Sequence, residues 1–405
     1  MDLGNGLGHL SYSTLVHAGD TWEDMRASLE TYLPQVKARV APDQPFGVSL
    51  RISASSAATL TESSDERARL TGFLTEHDMY VYTVNAFPYG PFKGDRVMER
   101  VYEPDWTTEE RVTYTNQVAD ILAEISPPGI SPSIQTAPLA FMPKVSGDPY
   151  VARFTTNLLR VVAHLVSLEA ATGRRVKLAL EPEPACFLET TEQTVAFFRE
   201  RLHAPAGVAE LASLCGAPLS EAEGLMRRHL GVVFDIGHQS VGFEDIPHSL
   251  RLLTDAGIPI FKLQEAAALW VPELTADLVP QLRVFTDTIY LSQTTLRRDG
   301  AVTKFLNLGE ALDAFQQEPG AGVAEMRTHF HVPVFLEELG PFRTTRFAVQ
   351  QALAVHRATP LSDHLEIETY TWDVLPEHLK TGDITDYVTR ELEFVRDELT
   401  GSGRG

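Results

Sequence analysis

Short apolar runs alternate with longer stretches of helical spacing along most of the chain. The first β-type run is Gly8 to Val16. Asp20 to Val40 follows, with Trp22, Met25, Leu29, Tyr32, Leu33 and Val36 near helical spacing, and Asp20 three residues before Glu23 forms a capping-box pattern. The second run is Phe46 to Ile52, followed by a helix to about His77. The third is Met79 to Phe87, followed by a helix from near Thr107 that Pro127-Pro128-Gly129 stops. The fourth, Ile130 to Thr136, precedes a helix from Pro149 to about Thr172. The fifth, sixth and seventh are Val176 to Leu180, Gly231 to Asp235 and Ile258 to Leu263.

Parallel strands need crossover connections, and strand–helix alternation supplies them. Seven such units in series predict an α/β fold of the (β/α)8 TIM-barrel type rather than an open sheet. Thr288 to Gln293, Phe330 to Leu336 and Leu365 to Thr371 compete for the last strand. Leu365 to Thr371 is preferred because a helix near Asp383 to Leu399 follows it. One barrel would then span 1–399. Residues 270–364 would be an insertion in the last βα connection, at the barrel mouth, and 400–405 a flexible tail.

Composition narrows the setting. Of 405 residues, 43% are hydrophobic and 22% charged, an ordinary globular balance. Lys and Arg number 34 against 55 Asp and Glu, for a net charge of −21. Such a surface repels phosphate backbones and anionic lipid, so nucleic acid is not an expected partner. Two cysteines, Cys186 and Cys215, cannot build a disulfide scaffold. The N-terminus lacks a signal-peptide pattern, and no run of about 18 apolar residues occurs. The expectation is a cytoplasmic protein without membrane insertion, either a homo-oligomer or one with operon partners.

In a parallel barrel the chemistry stands at the carboxyl ends of the strands. Glu181 ends the fifth, Phe234-Asp235-Ile236-Gly237-His238 the sixth, and Glu366 and Glu368 lie on the eighth. Carboxylates and an imidazole converging from separate strands make a hard or borderline divalent-metal site, which would polarise a carbonyl or hydroxyl. The same carboxylates could move protons. Each also has a plainer reading: Asp235 and His238 as helix caps, Glu181 as a salt-bridge partner, Glu183 as a supporting group. His329 and His331 alternate and could bind metal or substrate, or form a satisfied structural pair. Lys262 and Gln264, ending the seventh strand, are candidates for substrate hydroxyls, with Glu265 on the rim. Phe87, Tyr89 and Phe92 could wall a sugar-sized pocket, and His9, Tyr12 and Ser13 could face the mouth. His17, His77, His164, His203, His229, His248, His356, His364 and His378 read as helix, cap or surface residues. No P-loop, nucleophile elbow or His-Glu-x-x-His occurs.

Leu180-Glu181-Pro182-Glu183-Pro184 and Phe234-Asp235-Ile236-Gly237-His238-Gln239 resemble the strand ends of the xylose isomerase-like barrels, a sugar isomerase and epimerase superfamily. That resemblance implies Glu181, Asp235 and Glu368 as metal ligands and His238 as a ligand of metal or substrate. It also implies proton exchange by Glu181 and Glu368 on a sugar, cyclitol or related polyol, with Mn, Mg, Zn, Fe or Co as the divalent metal. Over its whole length the chain resembles the metabolite traffic protein EboE family. The shared stretches include Gly8-His9-Leu10-Ser11-Tyr12, Asn85-Ala86-Phe87-Pro88-Tyr89-Gly90, His329-Phe330-His331-Val332-Pro333 and Glu366-Ile367-Glu368-Thr369-Tyr370-Thr371-Trp372. That likeness implies an operon that makes or moves a small metabolite. The chain departs from these patterns at three places. Phe261-Lys262-Leu263-Gln264 lacks the usual imidazole, so His331 or Gln264 would have to replace it. Gly237 stands where Cys is common, and Ser292 where His is. A binding or traffic protein that uses the same pocket without turnover is therefore the alternative. A phosphodiester-cleaving DNA-repair relative is disfavoured by the charge.

Overall fold

A computed structural model describes every residue except 93–95, 287–288, 319–321, 372–379, 381 and 402–405. Eight parallel strands form the central sheet: β1 (His9–Tyr12), β2 (Phe46–Arg51), β3 (Met79–Asn85), β4 (Ser133–Thr136), β5 (Lys177–Leu180), β6 (Leu230–Asp235), β7 (Ile260–Glu265) and, last in the chain, β14 (His364–Ile367). Their order is β1-β14-β7-β6-β5-β4-β3-β2. A parallel bridge from Ser13 to Ser49 brings the two edges together, so the sheet is a nearly closed barrel. Buried aliphatic strand faces meet amphipathic helices outside. The helix Asp148–Thr172, for instance, buries Val151, Phe154, Leu158, Val162 and Leu165.

Between β7 and β14 the chain builds a second, antiparallel sheet. Its strands are β8 (Ala267–Val271), β9 (Thr294–Arg298), β10 (Ala301–Phe305), β11 (Ala324–Val332), β12 (Glu338–Leu339) and β13 (Phe342–Thr344). Their order is β10-β9-β11-β8-β13-β12. The expected insertion is there, but it begins at Ala267, directly after Ala266, rather than at 270. The run Phe330 to Leu336 falls partly in β11 and not in the barrel. Thr288 lies outside the described residues.

Several local expectations shift. The first helix, Trp22–Val40, is capped by Thr21, whose side chain accepts from the Asp24 N–H. Asp20 instead pairs with Arg51 at 3.1 Å. The stretch to His77 is two helices, Ala54–Glu62 and Ser64–Glu76, broken at Ser63. The final helix, Ile384–Thr400, includes the residue where the tail was expected to start, and Gly401 closes it at φ 73°; residues 402–405 lie outside the described set. Among the described residues no helix is long and apolar enough to cross a membrane.

Candidate metal centre at the barrel mouth

Strand ends and the inserted sheet converge on one cleft. Its floor includes Asn85, Gln135, Glu181, Glu183, His238, His329 and Glu368. Its walls are largely apolar, among them Leu15, Phe87, Phe92, Val97, Tyr290 and Tyr370, and it holds about 480 Å³ counted to its open mouth. Phe87 and Phe92 thus stand where the sequence placed them. Tyr89 packs instead edge-on to Tyr114, ring centres 5.2 Å apart.

Among the described residues six buried carboxyls occupy the barrel interior and mouth: Glu181, Glu183, Asp235, Glu265, Glu366 and Glu368. One ammonium, Lys262, lies among them, 2.9 Å from Glu366 with both side chains fully buried. Burial, then repulsion from Glu368, Asp235 and Glu183, holds Glu181 well above the usual carboxylate range. Burial, then Glu366 and Asp235, does the same to Glu368. Burial pushes Asp235 up to about 6 against the pull of His331 and of the His238 and Gly237 N–H groups.

Asp235 combines two roles. Its Oδ1 caps the short helix Ile236–Val241 by accepting from the His238 N–H at 2.8 Å. Its Oδ2 is buried with no hydrogen-bond partner among the described residues and lies 3.9 Å from His238 Nε2. Gly237 keeps this corner tight, since a Cβ there would lie 3.0 Å from both the Ala266 Cβ and the Asp235 Oδ1. A side chain at 237 would strike the carboxylate it follows.

The imidazoles are ordered by their second nitrogens. His238 Nδ1 donates to the Pro182 carbonyl at 3.0 Å, and His331 Nδ1 to the Glu368 carbonyl at 2.6 Å. His329 Nδ1 donates to Gln293 Oε1 at 2.8 Å. The Gln293 amide cannot turn over, because its Nε2 donates to Glu183 Oε1 at 3.0 Å and to the Pro184 carbonyl at 3.3 Å. Each ring therefore carries its proton on Nδ1 and presents a bare Nε2. The Nε2 atoms of His329 and His331 face each other at 2.8 Å. One potential ligand atom from each of His238, His329 and His331 lies within 4.8 Å of the others, and the same holds for Glu181, Asp235 and His238. Burial drives His331 down to about 4 and His329 well below the ordinary imidazole range.

A break in the β11 ladder makes this possible. Thr328 pairs with Leu269 and His331 with Ala268, so His329 and Phe330 form a bulge. The seventh strand brings no imidazole to the cleft, and the inserted sheet brings two, His329 and His331.

The remaining expected residues are placed as follows. Lys262 is not at the strand end facing a ligand; it is enclosed and donates to Gln135 Oε1 at 2.7 Å as well as to Glu366. Gln264 Oε1 accepts from Gln135 Nε2 at 3.2 Å, and its own Nε2 is unpartnered. Glu265 is not rim but fully buried, with neither oxygen hydrogen-bonded among the described residues. His9 begins β1 rather than ending it and binds the Tyr80 hydroxyl at 2.7 Å, at the opposite end of the barrel. Ser292 accepts from the Leu308 N–H at 3.0 Å at a helix start. Of the histidines read as helix, cap or surface, His17, His229, His356 and His364 are buried, and His364 lies in the interior against Ser133 at 2.8 Å; His378 is outside the described residues. Asn85, Gln135, Tyr102 and Gln293 were not singled out. Asn85 donates to Glu368 Oε1 at 2.8 Å and Gln135 to Glu181 Oε2 at 2.6 Å. No motif marks such amides; their strand-end positions were the available signal.

No family model matches the chain, and no curated protein matches it by sequence. Solved structures do. A xylose isomerase-like TIM barrel protein from Mycobacterium smegmatis in complex with magnesium is 11% identical, with 99% of each chain covered and a TM-score of 0.50. A D-tagatose 3-epimerase-like protein is 12% identical, covering 97% of this chain and 99% of its own, at 0.47. The IOLI protein with a bound zinc atom is 12% identical, covering 97% and 98%, at 0.46. Identity this low speaks for fold and not for reaction. Eight parallel strands in a nearly closed ring, together with the likeness to the Mycobacterium smegmatis structure, give this chain the fold of the xylose isomerase-like TIM barrels.

Proposed function

We propose that the chain is a divalent-metal-dependent isomerase or epimerase acting on a sugar, cyclitol or related polyol. One observation carries the metal. Two neutral imidazoles, each with its proton fixed on Nδ1, set bare Nε2 atoms 2.8 Å apart. Lone pair against lone pair is repulsive, and burial disfavours a proton between them, so a cation is the fitting occupant. Asp235 Oδ2, buried and without a hydrogen bond among the described residues, offers a carboxylate beside them. His238, His331, Asp235, Glu181 and Glu368 would form the ligand set, with His329 added. Imidazoles select Zn, Fe, Co or Mn over Mg, although the magnesium in the Mycobacterium smegmatis barrel sits on the same fold.

When bound, the metal would polarise a substrate carbonyl or hydroxyl oxygen. The protein's own groups supply the rest. Glu181 and Glu368 stand on different strands of the cleft floor, so one can take a proton from the carbon beside a carbonyl and another return it. Asn85 orients Glu368, and Gln135 orients Glu181. The apolar walls exclude water from that carbon.

A second reading, binding or traffic of a metabolite without turnover, is favoured by the enclosure of Lys262 and Gln264. Few polar groups remain to hold hydroxyls on an otherwise apolar wall. Either reading would suit an operon that makes or moves a small metabolite, which is what the sequence resemblance to the EboE family implies. Metal-loaded protein incubated in D2O with ketoses, aldoses and keto-cyclitols, followed by proton NMR, separates the two. Deuterium entry beside the carbonyl, reduced about 100-fold or more by Glu368→Gln, supports the enzyme. Saturable binding of an unchanged ligand with no exchange supports the carrier.

A further inference from the structure

The barrel's other end, where the strands begin, holds a concentration of positive charge that its carboxylates neutralise only in part. Arg174, Arg175 and Lys177 lead into β5. A hollow there is lined by Arg175, Lys177, Arg227, Arg228, Phe261 and Asp363. An adjoining one adds Arg174 and Ser131. Arg227 is held by Glu223 at 2.8 Å, and Arg228 by Glu169. The other three cations differ. Among the described residues none of Arg174, Arg175 and Lys177 has a carboxylate within 4.0 Å, although acidic residues outnumber basic ones by 55 to 34. Arg175 Nε reaches the Ser131 hydroxyl at 3.1 Å.

Lys177 is the second, independent sign. Its side chain is 4% exposed and lines the hollow. Its ammonium lies 5.2 Å over the Phe261 ring and has no hydrogen-bond acceptor among the described residues. An ammonium at the wall of a hollow, on an otherwise buried residue and with no protein acceptor among the described residues, leaves its donors to whatever occupies that hollow. Burial lowers it to about 8, with Asp363 opposing and Arg175 adding to the fall.

We propose that this hollow is a binding site for a phosphate-type dianion, held by the Lys177 ammonium and the Arg175 and Arg228 guanidiniums. A guanidinium fork and a point-charge ammonium around one concavity match the oxygens of a phosphoryl group. The ligand is inorganic phosphate or the phosphoryl end of a small metabolite. The site is independent of the metal centre: β5 runs from Lys177 to Leu180, and Glu181 stands at its far end.

Titration calorimetry at fixed ionic strength tests this, with inorganic phosphate, glucose 6-phosphate and glucose as probes. The parent should bind both phosphates saturably, and glucose should not compete for that site. Tighter binding of glucose 6-phosphate would identify a phosphorylated metabolite as the ligand; equal binding would identify phosphate itself. Arg175→Gln and Lys177→Met should each weaken binding by about tenfold or more. Asp235→Asn at the mouth should leave it unchanged. If Lys177→Met does not fold, the half-buried Arg175→Gln and the exposed Arg228→Gln carry the test. Phosphate binding that persists undiminished in the Arg175 and Lys177 variants would overturn the proposal, as would its loss in Asp235→Asn. So would a parent response no different from that to chloride.

Discussion

Replacing Lys262 with methionine should destabilise the barrel far more than replacing its partner Glu366 with glutamine. The two side chains meet at 2.9 Å with no solvent exposure. Lys262→Met removes the one ammonium from a space that holds six buried carboxyls, and it strips Gln135 Oε1 of its donor at 2.7 Å. Breaking a buried pair by removing one partner costs about 3–5 kcal/mol, because the other charge is left uncompensated. Glu366→Gln removes a charge from the crowded side. Lys262 keeps Gln135 Oε1 and gains the new amide oxygen, and Ser49 keeps an acceptor, so the loss should be about 1–2 kcal/mol. The double variant should recover part of the Lys262→Met loss. Urea unfolding at pH 7, followed together by circular dichroism and tryptophan fluorescence, measures all three. If Glu366→Gln costs as much as Lys262→Met, or if both cost under about 1 kcal/mol, the carboxylate excess is not what the ammonium offsets.

Three further outcomes are expected. Gly237→Cys places a Cβ 3.0 Å from Asp235 Oδ1 and the Ala266 Cβ, so metal binding should weaken while the fold survives at a cost of about 1–3 kcal/mol; unchanged affinity would count against the role of that packing. Gln293→Leu removes the acceptor for His329 Nδ1 and should lower metal affinity by about 10–100-fold, read by competition with a chelating dye. Glu391 is buried, accepts from Thr369 and the Val334 N–H, and is raised by burial from 4.5 to about 7. Its folded pKa lies above its unfolded value, so its contribution is intact below about pH 4.5 and lost as pH rises through 7. Glu391→Gln should therefore gain about 3 kcal/mol on the parent between pH 4.5 and 8, and a flat difference curve would show that Glu391 ionises freely.

The barrel was legible because its signal is local. Apolar β-type runs bounded by turn residues located seven strands, and the helix that follows picked the eighth from three candidates, with ends displaced by a few residues. The strand-end carboxylates followed from the rule that parallel barrels work at their carboxyl ends. What the chain did not reveal depended on tertiary closure. His329 and His331 read as one face of an ordinary strand, and only the bulge against Ala268 explains how both reach the mouth. Lys262 looked like a ligand-facing end residue because β7 was expected to stop at Leu263; the strand continues to Glu265, which sinks Lys262 into the interior. Glu265 read as rim because charge usually means solvent, and here it does not. His364 read as a helix, cap or surface residue because nothing in its neighbours tells that β14 opens with it. The amides Asn85, Gln135 and Gln293 carry no motif, and their importance lies in which carboxylate or imidazole they touch.

The metal is the central claim, and its most direct test is elemental analysis of the purified protein, with re-titration of chelator-stripped protein by Zn and Mn. The account predicts stoichiometric transition metal in the parent, strong loss in Asp235→Asn, and a comparable loss in a His329→Gln, His331→Gln double variant that still folds. A folded parent that stays empty after soaking in each ion, or a double imidazole variant that binds as tightly as the parent, would contradict it.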